Sequence, residues 1–411
     1  MAADQTTYAA VLKQLWPQRR VNNLAYQFSA FWAMVEKEQD FYEEIKHVAL
    51  QYGNPQGRSA AFATAQSNAG NAALAKFQVT IIDDFAVGVV NGRTLETTRH
   101  NKGALLSAVE TETKSSLEEL ANTLSFDLWS VGDGVRGAVG SGLSSADLVL
   151  ADINTVVNFE VGMTVQLALT RTGAVRVGTA VISDIDPDTG TLTTAGGNWD
   201  VQITTPANGD FIFVEGDAAN TGALVKASGV PAWVPTTTPT ATTFFGLDRT
   251  SHTDRLGGIR QDGTGFGTIA ETIKALGAKI RFRGGRRARP DVVFMNTLDI
   301  DNLDIELGSN RRYTRVDVPD ADVGFDAIEF ATPAGRIRAI EDRYLPPGNA
   351  WMLQMNTWKF GSVDQAPRII QHDGNRLLRQ SAADGVEFRA VYRGQLWCDA
   401  PGWNGYTSLP A

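Results

Sequence analysis

Residues 102–131 carry the strongest folding instruction in this 411-residue chain. Leu106, Val109, Thr113, Leu117, Leu120, Leu124 and Leu128 recur every three or four positions, so they line one face of an α-helix. Glu110, Glu112, Lys114, Glu118 and Glu119 fall on the opposite face. Thirty helical residues at 1.5 Å each make a rod of about 45 Å. Gly132, Gly134 and Gly137 then end it. A rod of this length needs covering along its whole apolar stripe, which suits a backbone element spanning a domain.

The segments before the rod are poor in core of their own. Tyr8, Leu12, Leu15 and Trp16 share a helical face that Pro17 terminates, and Leu24, Phe28, Phe31, Trp32, Met34 and Val35 form a second short amphipathic piece. So many large apolar groups on short helices need a covering surface: another domain, another subunit, or a helical subdomain of the same chain. Residues 43–92 read as a long hairpin, with one arm from Glu43 to Tyr52 and the other from Lys76 to Val90. Between the arms, Gly53 to Ala75 offers only Phe62 and Leu74 as large apolar groups. A structureless loop beyond about 12–15 residues is uncommon in a compact domain, and a lone two-stranded hairpin is marginal in water. Such a hairpin gains stability by lying across a neighbouring subunit; a mobile surface loop is the plainer alternative.

Residues 141–242 change character to Thr, Val, Gly and Asp in short alternating runs: Met163 to Leu169, Ala174 to Ile182, Gly190 to Thr194 and Asp210 to Val214. Its bases are Arg171, Arg176 and Lys226, against ten acids from Asp147 to Asp217, so it holds most of the net charge of −9. This predicts a small all-β barrel or sandwich, followed by a Pro- and Thr-rich linker at 231–243. Residues 244–411 read as mixed α/β: a helix over Thr268–Arg283, a buried strand over Asp291–Met295, a helix capped by Asn296 or Thr297 through Leu307, and strands at Arg336–Ile340, Ala350–Met355 and Gly385–Trp397.

Composition excludes several classes. With 43% hydrophobic and 20% charged residues the chain is globular rather than disordered. A lone cysteine, Cys398, allows no intrachain disulfide. No stretch approaches the roughly 18 apolar residues of a spanning helix, and the N-terminus lacks the pattern of a signal peptide. Acidity argues against wrapping nucleic acid, though a weakly acidic wall can enclose it without sticking.

Catalytic and ligand-binding signals are weak. His47, His100, His252 and His372 are scattered, without zinc spacing. Cys398 lacks a nearby His and reads as a small buried residue. Gly263-Thr264-Gly265-Phe266-Gly267 misses both dinucleotide and Walker spacing, so a flexible turn is expected. Asp299, Asp301, Asp304 and Glu306 lack calcium-loop spacing and read as a solvated helix face. No metal, cofactor or catalytic residue is expected, and the chain is read as no enzyme. Arg281, Arg283, Arg286, Arg287 and Arg289 stand out in an acidic chain. Without an interleaved aromatic platform, they are expected to meet acids of a sister subunit, such as Asp317, Asp320 and Asp322, rather than nucleic acid.

Helical arm, long hairpin, long helix, β segment, α/β domain and return strands, in that order, resemble the major capsid proteins of tailed double-stranded DNA phages, with the α+β fold named after the Hong Kong 97 phage. Local runs are similar to that family: Asn54-Pro55-Gln56-Gly57-Arg58-Ser59, Asn158-Phe159-Glu160-Val161-Gly162-Met163, Phe245-Gly246-Leu247-Asp248-Arg249 and Tyr344-Leu345-Pro346-Pro347-Gly348. The resemblance implies an N-terminal arm over 1–42, an E-loop hairpin over 43–92, a spine helix and the start of the P-domain over 93–140, and an inserted small all-β domain over 141–243. An A-domain over 244–345 and its end with the P-domain return strands over 346–411 complete it. It implies a structural protein that self-assembles into hexamers and pentamers of an icosahedral head enclosing double-stranded DNA, made in the bacterial cytoplasm and ending in the virion.

Implied partners are copies of itself, a separate scaffolding protein, a portal protein, a cement or decoration protein and packaged DNA held non-specifically; no membrane is implied. Arg58 and Phe62 at the hairpin tip join the arginine cluster as expected inter-subunit contacts. A Lys76–Asn349 crosslink is not expected, because nothing identifies the buried acid it needs. An encapsulin-like compartment shell shares the fold and is the alternative. A phage structural or glycan-binding module around Trp199, Phe211, Phe213 and Trp233 is a further one, although these aromatics are more simply core.

Overall fold

The computed structural model describes residues 29–39, 41–92, 102–219, 224–308, 313–317, 324–371, 374–375, 377–380 and 384–410. Tyr8, Leu12, Leu15, Trp16, Leu24, Phe28, His100, His372, Asp320 and Asp322 lie outside them. The long helix runs from Lys102 to Asp127. Thr113, Leu117, Leu120, Leu124 and, just past its end, Leu128 are buried, which is the stripe read from the sequence. It packs against two strands, Ile82–Asn91 and Gly385–Cys398, that pair antiparallel over ten residue pairs from Gly385↔Asn91 to Gly394↔Ile82.

The long strand Gly385–Cys398 organises one sheet. Trp358–Ser362 pairs with its C-terminal half, and Glu36–Glu38 extends that edge in parallel, Glu36 opposite Lys359. Gly88 sits where any side chain would collide with the Phe388 ring: a Cβ would come within 1.9 Å of it. The absent side chain lets Phe388 pack flat across the neighbouring strand, 1% exposed.

The second sheet has seven strands among the described residues: Ile259–Gln261, Gly405–Ser408, Asn349–Leu353, Val292–Met295, Gly335–Glu341, Gly324–Thr332 and Tyr313–Asp317, in that spatial order. Its central strands are apolar on both faces. One face is covered by the helix Ile269–Gly284, through Ile273, Leu276 and Ile280. The other joins the main core, where Phe294 meets Phe31 and Trp129, and Trp351 meets Trp129, at ring separations of 5.5–5.9 Å. The short helix Ala30–Met34 thus packs into its own chain: Phe31 and Trp32 are buried, and Trp32 stacks edge-on to Phe360.

A closed barrel with a core of its own follows the long helix, in the order Phe211–Val214, Val135–Ser141, Asp147–Leu150, Thr191–Thr194, Ala180–Asp186 and Thr164–Ala168. Its first strand begins at Val135, ahead of the compositional boundary at 141, because the glycine-rich run after the helix is strand rather than only a terminator. Val139, Leu148, Val165, Leu167, Ile182, Leu192, Trp199 and Ile212 fill it.

Three further expectations need correction. The hairpin consists of Ile45–Gly53 and Ala73–Thr80 alone. Ile82–Asn91, read as the continuation of its second arm, leaves to join the other sheet. The tip is not structureless, because Phe62–Ser67 forms a short helix. The stretch read as a linker at 231–243 is built into the core at its start: Pro231, Ala232, Trp233 and Val234 are buried, and the Trp233 indole donates to the Leu396 carbonyl at 3.1 Å.

Lys226, the last base of the acidic segment, fastens the barrel to the body. Its ammonium lies 2.7 Å from Asp84 on strand Ile82–Asn91 and 3.0 Å from Asp217 just past the barrel. Asp127, at the helix end, accepts from the Tyr392 hydroxyl at 2.6 Å in the same buried cluster. Burial pushes the Asp127 carboxyl up to about 7, although the nearby Lys226 charge pulls it back. The other two bases are also paired to buried acids, Arg171 to Asp133 and Arg176 to Asp210. The charge of this segment is therefore partly internal.

Candidate assembly surfaces

The hairpin has two unlike ends. At its root, Val48, Phe77 and Val79 are buried, and Phe77 packs edge-on to Trp233 at 4.9 Å and to Phe244 at 6.2 Å. The Gln78 amide donates to the Phe245 carbonyl at 2.8 Å, and Arg255 donates to the Tyr52 carbonyl. At its tip, Arg58 is exposed, Phe62 is 82% exposed and Leu74 is 71% exposed. The hairpin is thus buried at its root and bare and apolar at its tip.

A second bare apolar feature is one that sequence reasoning missed. On strand Ile82–Asn91, Phe85, Val87 and Val89 point outward and are about half exposed, while Ala86, Gly88 and Val90 face inward. Apolar residues on both faces of this strand were the available signal. The stripe runs along the sheet beside Arg389 and Arg393 of the paired strand.

The arginine cluster lies at the end of the helix Ile269–Gly284 and in the turn beyond. The structure divides it. Arg281 is turned back on its own chain, donating to the Arg286 carbonyl at 2.6 Å, so it finishes the helix end. Arg283 pairs with Asp254 at 2.8 Å. Arg286, Arg287 and Arg289 are exposed. The expectation that no aromatic is interleaved fails: Phe282 sits inside the cluster and is 86% exposed. Of the acids expected opposite it, Asp317 ends the strand Tyr313–Asp317, paired with Gly324.

The remaining candidates are structural. Cys398 is fully buried beside Thr357 and Asn404, and burial pushes its thiol up to about 12. Gly263 packs so closely on strand Gly405–Ser408 that a Cβ would lie 1.9 Å from the Ser408 carbonyl, so its loop is a packing turn. Glu306 caps the helix Ile269–Gly284 by accepting from the Ile269 and Ala270 amides, and buried Asp299 accepts from the Gly348 amide, so these two acids bind other parts of the fold while Asp301 stays exposed. His47 and His252 lie on separate elements, a hairpin strand and a short helical turn. Asn349 opens the strand Asn349–Leu353, and its side-chain amide donates to the Pro347 carbonyl while its oxygen accepts from Tyr406. Trp199, Phe213 and Trp233 are buried, which removes them from any glycan surface.

Comparison with known proteins decides the class. A family model described as the SU10 major capsid protein matches residues 206–374. The capsid subunit of cyanophage A-1(L) superposes with a TM-score of 0.52, covering 92% of this chain and 91% of that one at 12% identity. A phage major capsid protein is thus what residues 206–374 of this chain resemble. The chain has a fold of the Hong Kong 97 type and is a structural shell protein rather than an enzyme. The capsid of a native GTA particle is also similar (TM-score 0.43, 10% identity, 95% of this chain and 91% of that one). So is the SrpI encapsulin of Synechococcus elongatus (TM-score 0.45, 8% identity, 97% of this chain and 94% of that one). No curated protein matches the sequence. As a capsid protein it assembles with copies of itself and resides in the virion.

Proposed function

We propose that this capsid protein closes into hexamers and pentamers of an icosahedral head around double-stranded DNA, and that the hairpin is the element that ties neighbours together. The observation that carries this is the contrast within one hairpin: Phe77 fully buried at the root, Phe62 and Leu74 bare at the tip. In this reading residues 1–42 form the N-terminal arm, the projecting E-loop is Ile45–Thr80 within 43–92, and the long helix within 93–140 is the spine. The barrel, which starts at Val135 and otherwise falls in 141–243, is an insertion, residues 244–345 are the A-domain, and 346–411 return to the P-domain.

The tip of one subunit lies over the Phe85, Val87 and Val89 stripe of the next. Arg286, Arg287 and Arg289 meet acids of a sister subunit such as Asp317, Asp320 and Asp322. Identical contacts repeated around a closed ring need be worth only a few kcal/mol each, because every subunit makes many at once. Assembly takes place in the bacterial cytoplasm on a separate scaffolding protein, and the finished shell carries a portal, a decoration protein on its outside and DNA held without sequence preference.

Removing residues 56–73 tests the hairpin's role. The subunit is expected to fold, because the root stays intact, and closed particles are expected to vanish from electron micrographs. Normal particles from that deletion sink the proposal.

A further inference from the structure

Ile82–Asn91 and Ala73–Thr80 each have one strand partner among the described residues, so each keeps one free edge. In an antiparallel pair, bonded and unbonded residue pairs alternate, so the bonds to one neighbour settle which residues face the other edge. On Gly385–Cys398 the Arg389 and Arg393 carbonyls accept from Ile370 at 2.8 Å and Val363 at 3.2 Å, away from Ile82–Asn91. The even-numbered residues of that strand therefore bond Ile82–Asn91, through pairs such as Ala390↔Ala86 and Phe388↔Gly88. Asp83, Phe85, Val87 and Val89 are left directing their N–H and C=O groups to the free edge. At Phe85 the amide donates to the side chain of Asp84, at 3.0 Å, rather than to a strand.

The same alternation holds in the hairpin. The Gln78 amide donates to the Phe245 carbonyl, away from Ile45–Gly53. Lys76 and Leu74, nearer the tip, therefore turn their backbone groups to the same outer edge. Both side chains are exposed, Leu74 by 71%.

These two edges complement each other. An antiparallel alignment that sets Lys76 opposite Asp83 also sets Leu74 opposite Phe85, and in both pairs the backbone groups face the shared edge. It brings an ammonium to a carboxylate, and a leucine to a phenyl ring that is 52% exposed. Asp83 keeps 45% of its side chain exposed while pairing with Arg393 at 3.5 Å. A slip of one residue puts the backbone groups out of phase, and a slip of two sets Lys76 against Phe85. Toward the tip, the alignment carries the hairpin along the exposed Val87 and Val89.

We infer that residues 73–77 of one copy add as an antiparallel strand to residues 82–86 of its neighbour, with Lys76 opposite Asp83 and Leu74 opposite Phe85. The sheet built on Gly385–Cys398 then continues across the subunit boundary, and main-chain bonds carry the contact. The inference deepens the shell reading and rests on it. A ten-residue edge strand is a template for uncontrolled pairing, and the added strand occupies it.

The test is a Lys76→Cys/Asp83→Cys pair in the full chain, oxidised in unassembled subunits and in particles; native Cys398 is fully buried. The expected result is a disulfide between copies in particles alone, seen as a ladder of covalent oligomers. It is expected to form about tenfold faster than in a Lys76→Cys/Val89→Cys control, whose positions lie about 20 Å apart in this alignment. Equal rates for the two pairs overturn the inference, as does a disulfide that closes within one chain. Particles in normal yield without the Lys76–Asp83 disulfide overturn the added strand and leave the shell reading standing. A native chain that forms no particles removes the shell reading and this inference with it. Should the cysteines prevent assembly, a charge exchange decides. Lys76→Glu and Asp83→Lys are each expected to raise the protein concentration at which particles appear by about fivefold, and the two together to restore it. A double variant no better than the worse single one overturns the alignment.

Discussion

Lys226 shows how far one side chain determines the joint between barrel and body. Its side chain is 5% exposed and its ammonium touches Asp84 and Asp217, which belong to different parts of the fold. Removing one partner of a buried pair leaves the other charge without compensation, at a cost of about 3–5 kcal/mol. Lys226→Met is therefore expected to destabilise the unassembled subunit by about that amount in denaturant titration, and a second change, Asp84→Leu, to recover part of the loss. A loss under about 1 kcal/mol means the pair is not what fastens the barrel. Asp342, which holds Ser29, gives a prediction with a sign. Burial raises its carboxyl from 3.8 to about 6, against the Ser29 and Tyr344 donors that pull it down. A raised carboxyl binds its proton more tightly in the folded state, so its contribution is fully present below pH 3.8 and is lost as pH rises through about 6. Across that window the melting temperature of wild type is expected to fall more steeply with rising pH than that of Asp342→Asn. Parallel curves mean this carboxyl is not shifted.

At the scale of elements, the hairpin separates folding from assembly along its own length. Phe77→Ala opens a cavity in the core against Trp233 and is expected to cost about 3–5 kcal/mol in subunit stability. Phe62→Ala touches nothing in its own subunit, so stability is expected to stay within about 0.5 kcal/mol, while the yield of closed particles drops. Stability and yield moving together for Phe62→Ala would show that the tip packs on its own subunit. The hairpin also marks where sequence reading stops. Its root was legible because Phe77 and Val79 alternate with polar neighbours, and the long helix because its stripe keeps a 3.6-residue period over seven positions. The hand-over after Thr80 was not, because the same alternation runs on through Val90. What separates the two strands is the partner of the second one, Gly385–Cys398, some 300 residues away; no local pattern encodes that pairing. The barrel's first strand was hidden for a related reason: Gly137 reads as a helix terminator, and the neighbouring strands that need the space of this run are not visible locally. A Cβ at Gly140 would lie 2.9 Å from the Leu150 carbonyl.

For the whole molecule, the open question of surface chemistry is what the exposed arginines meet in the shell. The cluster was legible as charge, but its division was not: Arg281 and Arg283 are occupied within the subunit, leaving Arg286, Arg287 and Arg289 exposed beside Phe282. An exposed ion pair is worth about 0.2–1 kcal/mol, too little to register in subunit stability. In a shell the same pair recurs at every copy, and 1 kcal/mol per contact is about a fivefold change in the contact's equilibrium constant. Small contributions therefore surface in the assembly threshold. Charge reversal by Arg286→Glu with Arg287→Glu is expected to leave subunit melting unchanged and to raise the protein concentration at which particles appear by about tenfold at low salt. The effect should shrink near physiological ionic strength, where charges farther apart than about 8 Å are screened. Contact with packaged DNA predicts a different pair of results. Particles then form at the usual threshold, and what changes is the DNA content or its salt-dependent release. Light scattering across a salt series, with nucleic acid quantified in the purified particles, separates the two: a shifted threshold with normal DNA content places the arginines between subunits, and the reverse places them on the DNA.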